Sequence, residues 1–264
     1  MLKEEIEPLP VTIRRERMLQ TIAEREFVRV ADLSEEFGIS DVTVRADLAA
    51  LELSRSVRRV RGGAMALPKH EPSFEEALVS HAVEKQRIAE RAAAMVTSGM
   101  SVLLDVGTTT TAVARALVAR TDLDRVVVIT NGLSIALELE PALPRFTVVV
   151  TGGTLRSLQH SLVDPMATIL LDRVHADVAF IGCNGIDVEH GVTNVNLPEA
   201  EVKARMIASA ARVVVVADGS KLGQVHLGRV AAVQEVRTVI TGPTAPAEQV
   251  RRLREAGLDV IQTE

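Results

Sequence analysis

Seven short apolar runs, separated by stretches with a helical pattern, constrain the fold of this chain more than any other feature of its sequence. The runs are rich in valine and nearly continuous, as strands are when helices cover both faces of a sheet. Strands that alternate with helices in this way form a parallel sheet. The sequence therefore predicts a Rossmann-like α/β domain with strands at 102–106, 126–130, 147–151, 178–182, 213–217, 238–241 and 259–262.

The end of the first predicted strand has the composition of a phosphate-binding loop. Asp105 lies near the end of this run, and Gly107 precedes four threonines, Thr108 to Thr111, that open the next helix. Free backbone amides, threonine hydroxyls and the positive end of a helix dipole together suit a phosphate. No Gly-Lys-Ser/Thr follows, so the loop does not indicate a nucleoside triphosphate. A threonine-capped helix start without a ligand is the alternative interpretation.

Small or polar residues also follow four other predicted strands. Asn131 follows the second run, Gly152 and Gly153 the third, Asn184 the fourth and Lys221 the fifth. Glycine and asparagine are common in loops, but ligands of open parallel sheets bind at the carboxyl ends of the strands. Five successive strand ends therefore predict one shared site. A lysine ammonium is well suited to phosphate, whereas the alternative for Lys221 is a lysine exposed to solvent.

Two charged segments belong to predicted helices of the same region. Glu199 and Lys203 follow Pro198 at a helix start, and both are candidate ligand-binding residues. The alternatives are that Glu199 complements the helix dipole and that Lys203 pairs with it at i, i+4. An earlier helical pattern runs from about Phe74 to Val96, and the charges at 84–90 predict a solvated helix face.

A different pattern occupies the first part of the chain. Helical spacing predicts helices at 12–25 and 31–37 with a short strand between them, and Gly38 marks the turn after the second helix. Ser40 is suited to cap a third helix, and Val44, Leu48 and Leu51 form its buried stripe. The residues turned outward from this third helix are Val42, Thr43, Arg45, Ala46 and Ala49.

A positive patch follows the third helix. Four arginines fall within seven residues that contain no acid, namely Arg55, Arg58, Arg59 and Arg61. With the Gly-Gly pair at 62–63 they predict a basic β-wing, which completes the layout of a winged helix-turn-helix. In that layout Arg58, Arg59 and Arg61 contact phosphates, while Thr43 and Arg45 read base edges. A small helical domain with a solvated arginine face is the alternative.

Composition limits the classes of function. The chain has 264 residues, a net charge of −5 and no Trp or Tyr, which argues against single-stranded nucleic acid stacked on aromatic side chains. Its valine-rich runs are too short to cross a membrane, and its one cysteine, Cys183, cannot form an intramolecular disulfide. No leader pattern opens the chain, so the sequence predicts a cytoplasmic protein.

The sequence also indicates where the domains meet and which sites to discount. Scattered histidines predict no metal site, and the absence of Gly-x-Ser-x-Gly gives no sign of a serine hydrolase. Pro68 and Pro72 mark a linker. The expected organisation is a DNA-binding domain at 1–66, a linker at 67–73 and an effector-binding domain at 74–264.

Motifs in both parts resemble the DeoR family of bacterial transcriptional regulators. The N-terminal signature of that family is similar to VADLSEEFGISDVTVRADL at 30–48 and RRVRGGA at 58–64. Its sensor domain, which is similar to ribose-5-phosphate isomerase, carries motifs that resemble DVGTT at 105–109, TN at 130–131, GG at 152–153, EAEVK at 199–203 and SK at 220–221.

The resemblance implies a repressor of a carbohydrate-metabolism operon whose binding to double-stranded operator DNA is modulated by a phosphorylated sugar. It implies at least a homodimer, no cofactor and no catalytic residue. Gly107 to Thr110 and Lys221 would hold the phosphate, and Asp105, Asn131 and Glu199 would face the sugar. The predicted DNA-binding residues are Ser40, Thr43, Arg45, Arg58, Arg59 and Arg61. The predicted effector-binding residues are Asp105, Gly107, Thr108, Thr109, Thr110, Asn131, Gly152, Gly153, Asn184, Glu199, Lys203 and Lys221.

The chain departs from the family pattern at four positions. Ala46 and Arg61 stand where Arg and His are usual, and Gly132 and Asp164 stand where Ser and Gly are usual. The alanine removes a base or phosphate contact, and the last two departures leave the identity of the sugar open. A sugar-phosphate isomerase or deaminase-like enzyme, with Asp105 or Glu199 as a base, is the alternative function. A basic wing has no use in such an enzyme, which favours the regulator.

Overall fold

The computed structural model describes residues 10–25, 27–53, 57–66 and 71–264, which fall into two units, Met1–Glu71 and Pro72–Glu264. Arg55 of the predicted wing and residues 67–70 of the predicted linker lie outside the described residues. Among the helices of the described part, none combines the length and the apolar character that a membrane span requires.

The first unit has the predicted order of helices and strands. Its elements are α1 (Val11–Arg25), β1 (Phe27–Arg29), α2 (Val30–Phe37), α3 (Asp41–Leu53), β2 (Val57–Val60) and β3 (Gly63–Ala66). The strands form an antiparallel sheet in the order β1-β3-β2. Gly38 ends α2 in the left-handed conformation that the sequence predicted for this turn, with a φ of 62°. Apolar side chains of all three helices, including Met18, Leu33 and Leu48, pack in one core with the sheet.

A parallel sheet of seven strands organises the second unit. Its strands are β4 (Ser101–Leu104), β5 (Val126–Thr130), β6 (Phe146–Val150), β9 (Val178–Ile181), β12 (Val213–Val216), β14 (Thr238–Thr241) and β15 (Asp259–Gln262). Their order is β15-β14-β12-β9-β4-β5-β6, and every neighbouring pair is parallel. All seven predicted strands are confirmed, with ends that differ by at most two residues, and so is the predicted α/β fold class.

Helices cover both faces of this sheet. They are α4 (Phe74–Val79), α5 (Ala82–Ala93), α6 (Thr108–Ala119), α7 (Leu133–Glu138), α8 (Met166–Leu171), α9 (Leu197–Ala208) and α10 (Ala247–Glu255). Successive residues of β9 alternate between two cores: Val178 and Phe180 pack in the core with α5 and α6, whereas Ala179 and Ile181 pack in the core with α9 and α10. Burial on both faces explains why these strands read as continuous apolar runs.

The prediction of one continuous helix from Phe74 to Val96 is wrong. The structure divides it into α4 and α5 at Ser80 and His81, and His81 has a left-handed backbone with a φ of 53°. The Lys85 ammonium donates hydrogen bonds to the carbonyls of Ala77 (2.7 Å) and Ser80 (2.8 Å) and so stabilises the break. The predicted solvated face is also wrong in part, since Glu84 and Lys85 are buried.

Two small antiparallel sheets were not predicted. A hairpin joins β7 (Thr154–Arg156) to β8 (Ser161–Val163), and a second sheet joins β10 (Gly185–Asp187), β11 (Gly191–Asn194) and β13 (Gly228–Ala231). Strands of three or four residues carry too little alternation of apolar and polar residues to be recognised from the sequence. Both sheets supply side chains to the candidate site described below.

Candidate functional site

Helix α3 separates a buried face from an exposed one. Val44, Leu48 and Leu51 are buried as predicted. Val42, Arg45 and Ala46 are exposed, whereas Thr43 and Ala49, which the sequence also turned outward, are half-buried. The Ser40 hydroxyl accepts a hydrogen bond from the Thr43 amide (3.2 Å) and lies 2.9 Å from the Thr43 hydroxyl, as an N-cap does. The exposed face of α3 therefore includes Val42, Arg45 and Ala46.

Arg45 is free to reorient toward a partner. Its nearest acid is Asp41, at 3.9 Å, and both side chains are more than half exposed. Exposed pairs at this distance contribute little to stability. The guanidinium of Arg45 can therefore leave this contact at little energetic cost.

A buried carboxylate fixes α3 against α1. Asp47 accepts hydrogen bonds from Nε of Arg14 (2.7 Å) and Nε of Arg15 (2.8 Å). Burial opposes ionisation of Asp47, but the two arginines outweigh it and lower the pKa of the carboxyl from 3.8. Sequence analysis missed this contact, although an acid within the apolar stripe of α3 is a signal of it. Asp47 orients the exposed face of α3 relative to the rest of the unit.

The strands β2 and β3 form a wing with a two-residue turn. Register pairs Val60 with Gly63 and leaves Arg61 and Gly62 in the turn. Arg58, Arg59 and Arg61 are all exposed. Their positive charges project from the same small unit as α3, which is the arrangement that the sequence predicted for a basic wing.

The carboxyl ends of five neighbouring strands meet at one edge of the parallel sheet. These strands are β12, β9, β4, β5 and β6, in that spatial order. They are the five strands whose ends the sequence singled out, and the parallel pairing puts their ends side by side. We call this edge, with the start of α9 and the hairpin β7–β8, the strand-end site.

A buried ion pair lies at the centre of the strand-end site. The Lys203 ammonium contacts Oδ2 of Asp105 and donates a hydrogen bond to the Gly182 carbonyl (3.1 Å). The Gly182 amide donates to the same carboxylate oxygen (3.0 Å). Burial raises the pKa of Asp105 from 3.8 to about 6, and Lys203 limits the increase. The alternative interpretation, in which Lys203 pairs with Glu199, is therefore wrong, because Lys203 pairs with Asp105, the residue after β4. Its role in effector binding stays a prediction.

Two buried polar atoms of this site have no hydrogen-bond partner among the described residues. They are Oδ1 of Asp105 and Nδ2 of Asn131. The other amide atom of Asn131, Oδ1, accepts a hydrogen bond from the Val106 amide (2.9 Å), which fixes the side chain across β4 and β5. A buried polar group without a partner costs free energy. An acceptor and a donor are thus available here to a bound molecule.

The start of α6 presents backbone amides at the same edge. Gly107, the residue before the helix, has no side chain to cap it, and the first helical hydrogen bond runs from the Thr111 amide to the Gly107 carbonyl (2.9 Å). Thr108 and Thr109 are buried. The Thr110 hydroxyl donates to the Gly107 carbonyl (2.9 Å), so it serves the helix start itself.

Glu199 is held by residues that sequence analysis missed. Its Oε1 accepts hydrogen bonds from Arg156 of β7 (2.9 Å) and Ser161 of β8 (2.5 Å), and Asn194 of β11 approaches Oε2 at 3.4 Å. Asn196 caps α9 through the Glu199 amide (3.1 Å). Ser161 and Arg156 lie 38 and 43 positions before Glu199 in the sequence, so no local pattern indicates these contacts. Glu199 connects the hairpin to the start of α9.

Lys221 follows the end of β12, one of the five strands whose ends form the strand-end site. Burial raises the pKa of the Cys183 thiol to about 12, and the charges that act on this thiol are those of Lys203, Lys221, Asp218 and Asp105. Lys221 belongs to a 3₁₀ turn, Gly219–Lys221, that begins at Asp218. Within the part of the chain that the structure describes, the Lys221 ammonium has no hydrogen bond or close ion pair.

His81, Glu84 and Asp218 bring their ligand atoms within 4.8 Å of one another beside this turn. The Glu84 carboxylate accepts hydrogen bonds from the Gly219 amide (3.0 Å) and the Thr244 hydroxyl (2.8 and 2.9 Å). Burial opposes ionisation of Asp218, but Lys221, a hydrogen bond from Ser220 and Lys85 hold its pKa below 3.8. These cations disfavour a metal ion, and the group fixes the turn that carries Lys221.

The remaining predicted residues have structural partners. Oδ1 of Asn184 accepts a hydrogen bond from the Val195 amide (2.9 Å). Gly153 has a φ of 123°, and a Cβ there would lie 2.3 Å from the Val163 carbonyl oxygen. Gly152 has a φ of 73° and more space around it. The close approach at Gly153 is thus to the hairpin backbone, where the sequence had suggested a ligand.

Family models match both units. Residues 14–69 match the DeoR-like helix-turn-helix domain, and residues 80–243 match the DeoR C terminal sensor domain. The chain is 34% identical to the HTH-type transcriptional regulator GlpR of Haloferax volcanii, over 94% of this chain and 96% of that protein. It is 28% identical to the glycerol-3-phosphate regulon repressor of Escherichia coli K12, over 89% of this chain and 93% of that protein.

Among solved structures, the chain is similar to ribose 5-phosphate isomerase A of Methanocaldococcus jannaschii. The match covers 54% of this chain and 55% of that chain, with 19% sequence identity and a TM-score of 0.39. The two family models together match most of the chain, and the names of these two curated relatives describe an HTH-type transcriptional regulator and a regulon repressor. The chain belongs to the DeoR family of DNA-binding transcriptional regulators and is not an enzyme.

Proposed function

We propose that this regulator represses an operon of carbohydrate metabolism and that a phosphorylated sugar, bound at the strand-end site, modulates its affinity for operator DNA. The observation that carries the effector proposal is the pair of buried atoms without a partner, Oδ1 of Asp105 and Nδ2 of Asn131. A sugar hydroxyl both donates and accepts, so it satisfies such a pair. The name of the relative from Escherichia coli K12, a glycerol-3-phosphate regulon repressor, supports a phosphorylated ligand.

The phosphate end of the ligand is assigned to the start of α6 and to Lys221. The amides of Thr108, Thr109 and Thr110 precede the first helical hydrogen bond, and the positive end of the helix dipole favours an anion there. Lys221 adds a compact positive charge. The sugar end then lies toward Asp105 and Asn131, with Glu199 and Arg156 beside it.

The DNA interface is assigned to the exposed face of α3 and to the wing. Arg45, with Thr43 beside the Ser40 cap, reads base edges in the major groove, and Arg58, Arg59 and Arg61 contact phosphates. Helix-turn-helix regulators bind two symmetric half-sites, so the functional form is at least a homodimer. A regulator that binds chromosomal operators acts in the cytoplasm.

The effector controls DNA binding by linkage. A ligand shifts a conformational equilibrium only by the difference in its affinity for the two states. A sugar phosphate that prefers the state with lower DNA affinity therefore weakens operator binding, and DNA weakens binding of the sugar phosphate to the same degree.

Replacement of Lys221 tests the phosphate assignment. Charge-assisted hydrogen bonds contribute about 1.5–3 kcal/mol, so we expect Lys221→Ala to weaken effector binding roughly 10- to 150-fold. Phosphorylated sugars and polyols, their unphosphorylated counterparts and inorganic phosphate are first screened for an increase in the melting temperature of the wild type. Each ligand that binds is then tested for release of the regulator from DNA.

The matched control is Lys221→Arg, which keeps the charge and is expected to lose less affinity than the alanine variant. Circular dichroism verifies that both variants retain the fold. An alanine variant that is folded and responds to the sugar phosphate like the wild type contradicts the assignment of Lys221. A ligand that binds without any effect on DNA affinity contradicts the linkage.

A further inference from the structure

An apolar side chain occupies a prominent position on the exposed face of α3. Val42, the second residue of the helix, is 76% exposed, although valine is ordinarily a core residue. In the helix-turn-helix layout, the N-terminal residues of the recognition helix are those that reach base edges. Val42 therefore lies among the residues that contact base edges in this layout, and its side chain carries only methyl groups.

The neighbours of Val42 on this face leave its methyl groups accessible. Ala46 lies one turn further along the same face and is exposed, with a single methyl group as its side chain. Arg45 lies three positions after Val42 and extends to its own acid, Asp41. Since Ala46 is too short to screen Val42, the valine forms an apolar knob at the start of the helix.

The major groove contains one apolar group that distinguishes the bases. Thymine carries a C5-methyl group there, and the other three bases do not. Valine in a helix is restricted to essentially one χ1 rotamer, so Val42 loses little side-chain freedom when it packs against that methyl. The small side chain at Ala46 gives the helix room to approach the base.

We infer that Val42 is a specificity-determining residue that selects thymine by contact with its C5-methyl group. The inference depends on the proposed DNA interface of α3 and adds to it a base identity. It assigns Val42 to one A·T pair per half-site, beside the position read by Arg45. Specificity at this pair arises from apolar contact, without a hydrogen bond from the protein.

Replacement of thymine by uracil tests the inference directly, because uracil lacks only the C5-methyl group. Duplexes are first selected from a random pool by the full-length chain, and each fixed thymine is then changed to uracil. Burial of one methyl group corresponds to about a fourfold change in affinity. We expect the wild type to bind about fourfold more weakly when one particular thymine of a half-site is replaced, and to tolerate replacement elsewhere.

The variant Val42→Ala completes a double-mutant cycle. It is expected to bind the thymine duplex more weakly than the wild type and to show no further loss with uracil at the sensitive position. The matched control is Val79→Ala, since Val79 is also a helical valine and is 79% exposed in the other unit. That variant is expected to keep the full difference between thymine and uracil.

Three results separate the possible failures. A selected sequence without a fixed thymine, or equal binding of every uracil duplex, overturns the role of Val42. If Arg45→Ala still weakens the selected duplex more than a random one, the proposed DNA interface survives that result. If neither Arg45→Ala nor Val42→Ala changes DNA binding, α3 is not the DNA-reading helix, and both proposals are overturned.

Discussion

Asp105 and Lys203 place opposite charges in the interior of the second unit, and both side chains are almost fully buried. Burial removes the hydration of each charge, and attraction to the opposite charge offsets part of the free energy that this costs. The pair also joins the loop after β4 to α9, and its two residues are 98 positions apart in the sequence. One carboxylate oxygen of Asp105, Oδ1, has no hydrogen-bond partner among the described residues.

Removal of one partner is expected to leave an uncompensated charge. Lys203→Met should lower the free energy of unfolding by about 3–5 kcal/mol, and Asp105→Asn in the same chain should recover part of that loss. Urea unfolding followed by circular dichroism measures both. The control is Arg205→Met on the same helix, because Arg205 makes only exposed pairs with Glu201 and Asp172 and should cost at most about 1 kcal/mol. Equal losses for Lys203→Met and Arg205→Met would refute the buried pair.

A residue of the candidate site could be predicted where its position next to a strand or helix is recognisable from the neighbouring sequence. Asp105, Gly107 and Asn131 follow recognisable strands, so the sequence alone indicated them. Arg156 and Ser161 contact Glu199 only because the hairpin folds over the start of α9. Such long-range contacts have no counterpart in periodicity or spacing, and the pairing of Lys203 with Asp105 was missed for the same reason.

The hairpin β7–β8 contains one close approach between backbone atoms. Gly153 packs its α-carbon against the Val163 carbonyl in a conformation that L side chains rarely adopt. Gly152 also has a positive φ, 73° against 123° at Gly153, but the atom nearest to a Cβ there would be Cβ of Met166 at 3.7 Å, an ordinary contact. The two adjacent glycines therefore differ in the steric overlap that a Cβ would meet.

Alanine substitutions at the two positions should differ in their cost. Gly152→Ala should cost about 1–2 kcal/mol from backbone conformation alone. Gly153→Ala should cost an additional ~1–3 kcal/mol, because the two strands of the hairpin must separate. Free energies of unfolding of the ligand-free variants measure the difference. Equal losses would indicate that the contact with Val163 relaxes without cost.

The elements of the central sheet were predictable because burial on both faces produces long apolar runs. The break between α4 and α5 was not, since Lys85 stabilises it through carbonyls of the preceding helix. A lysine in a charged run reads as solvent-exposed from the sequence. Only the tertiary structure reveals that its ammonium caps a helix.

A net charge of −5 for the full chain conceals the basic wing. Association with DNA depends on the charges that reach phosphates, and each such contact releases counterions. The total charge sets solubility and repulsion at long range. An acidic protein can therefore bind DNA with a strong dependence on salt.

Removal of one arginine of the wing should weaken the dependence of DNA affinity on salt concentration. Arg58→Ala is expected to reduce the slope of log affinity against log salt by about 0.9 for each bound protomer, equally on specific and random duplexes. Fluorescence anisotropy of labelled DNA over a salt series measures the slope. Arg229→Ala, an exposed arginine of the second unit, should leave it unchanged. An unaltered slope for Arg58→Ala would exclude this arginine from phosphate contact.

The contact of Asp47 with both Arg14 and Arg15 has a consequence for how this family diverges. Asp47 has two cationic partners, so loss of one arginine still leaves the carboxylate an ion pair, whereas loss of Asp47 removes both ion pairs. Arg15 is partly exposed, whereas Arg14 is buried, so replacement of Arg15 leaves the acid compensated by its buried partner and should be tolerated. Replacement of the acid would leave two arginines beside each other and should be strongly destabilising. Divergence at this contact should therefore begin at Arg15 of α1, which leaves the position of the exposed face of α3 unchanged.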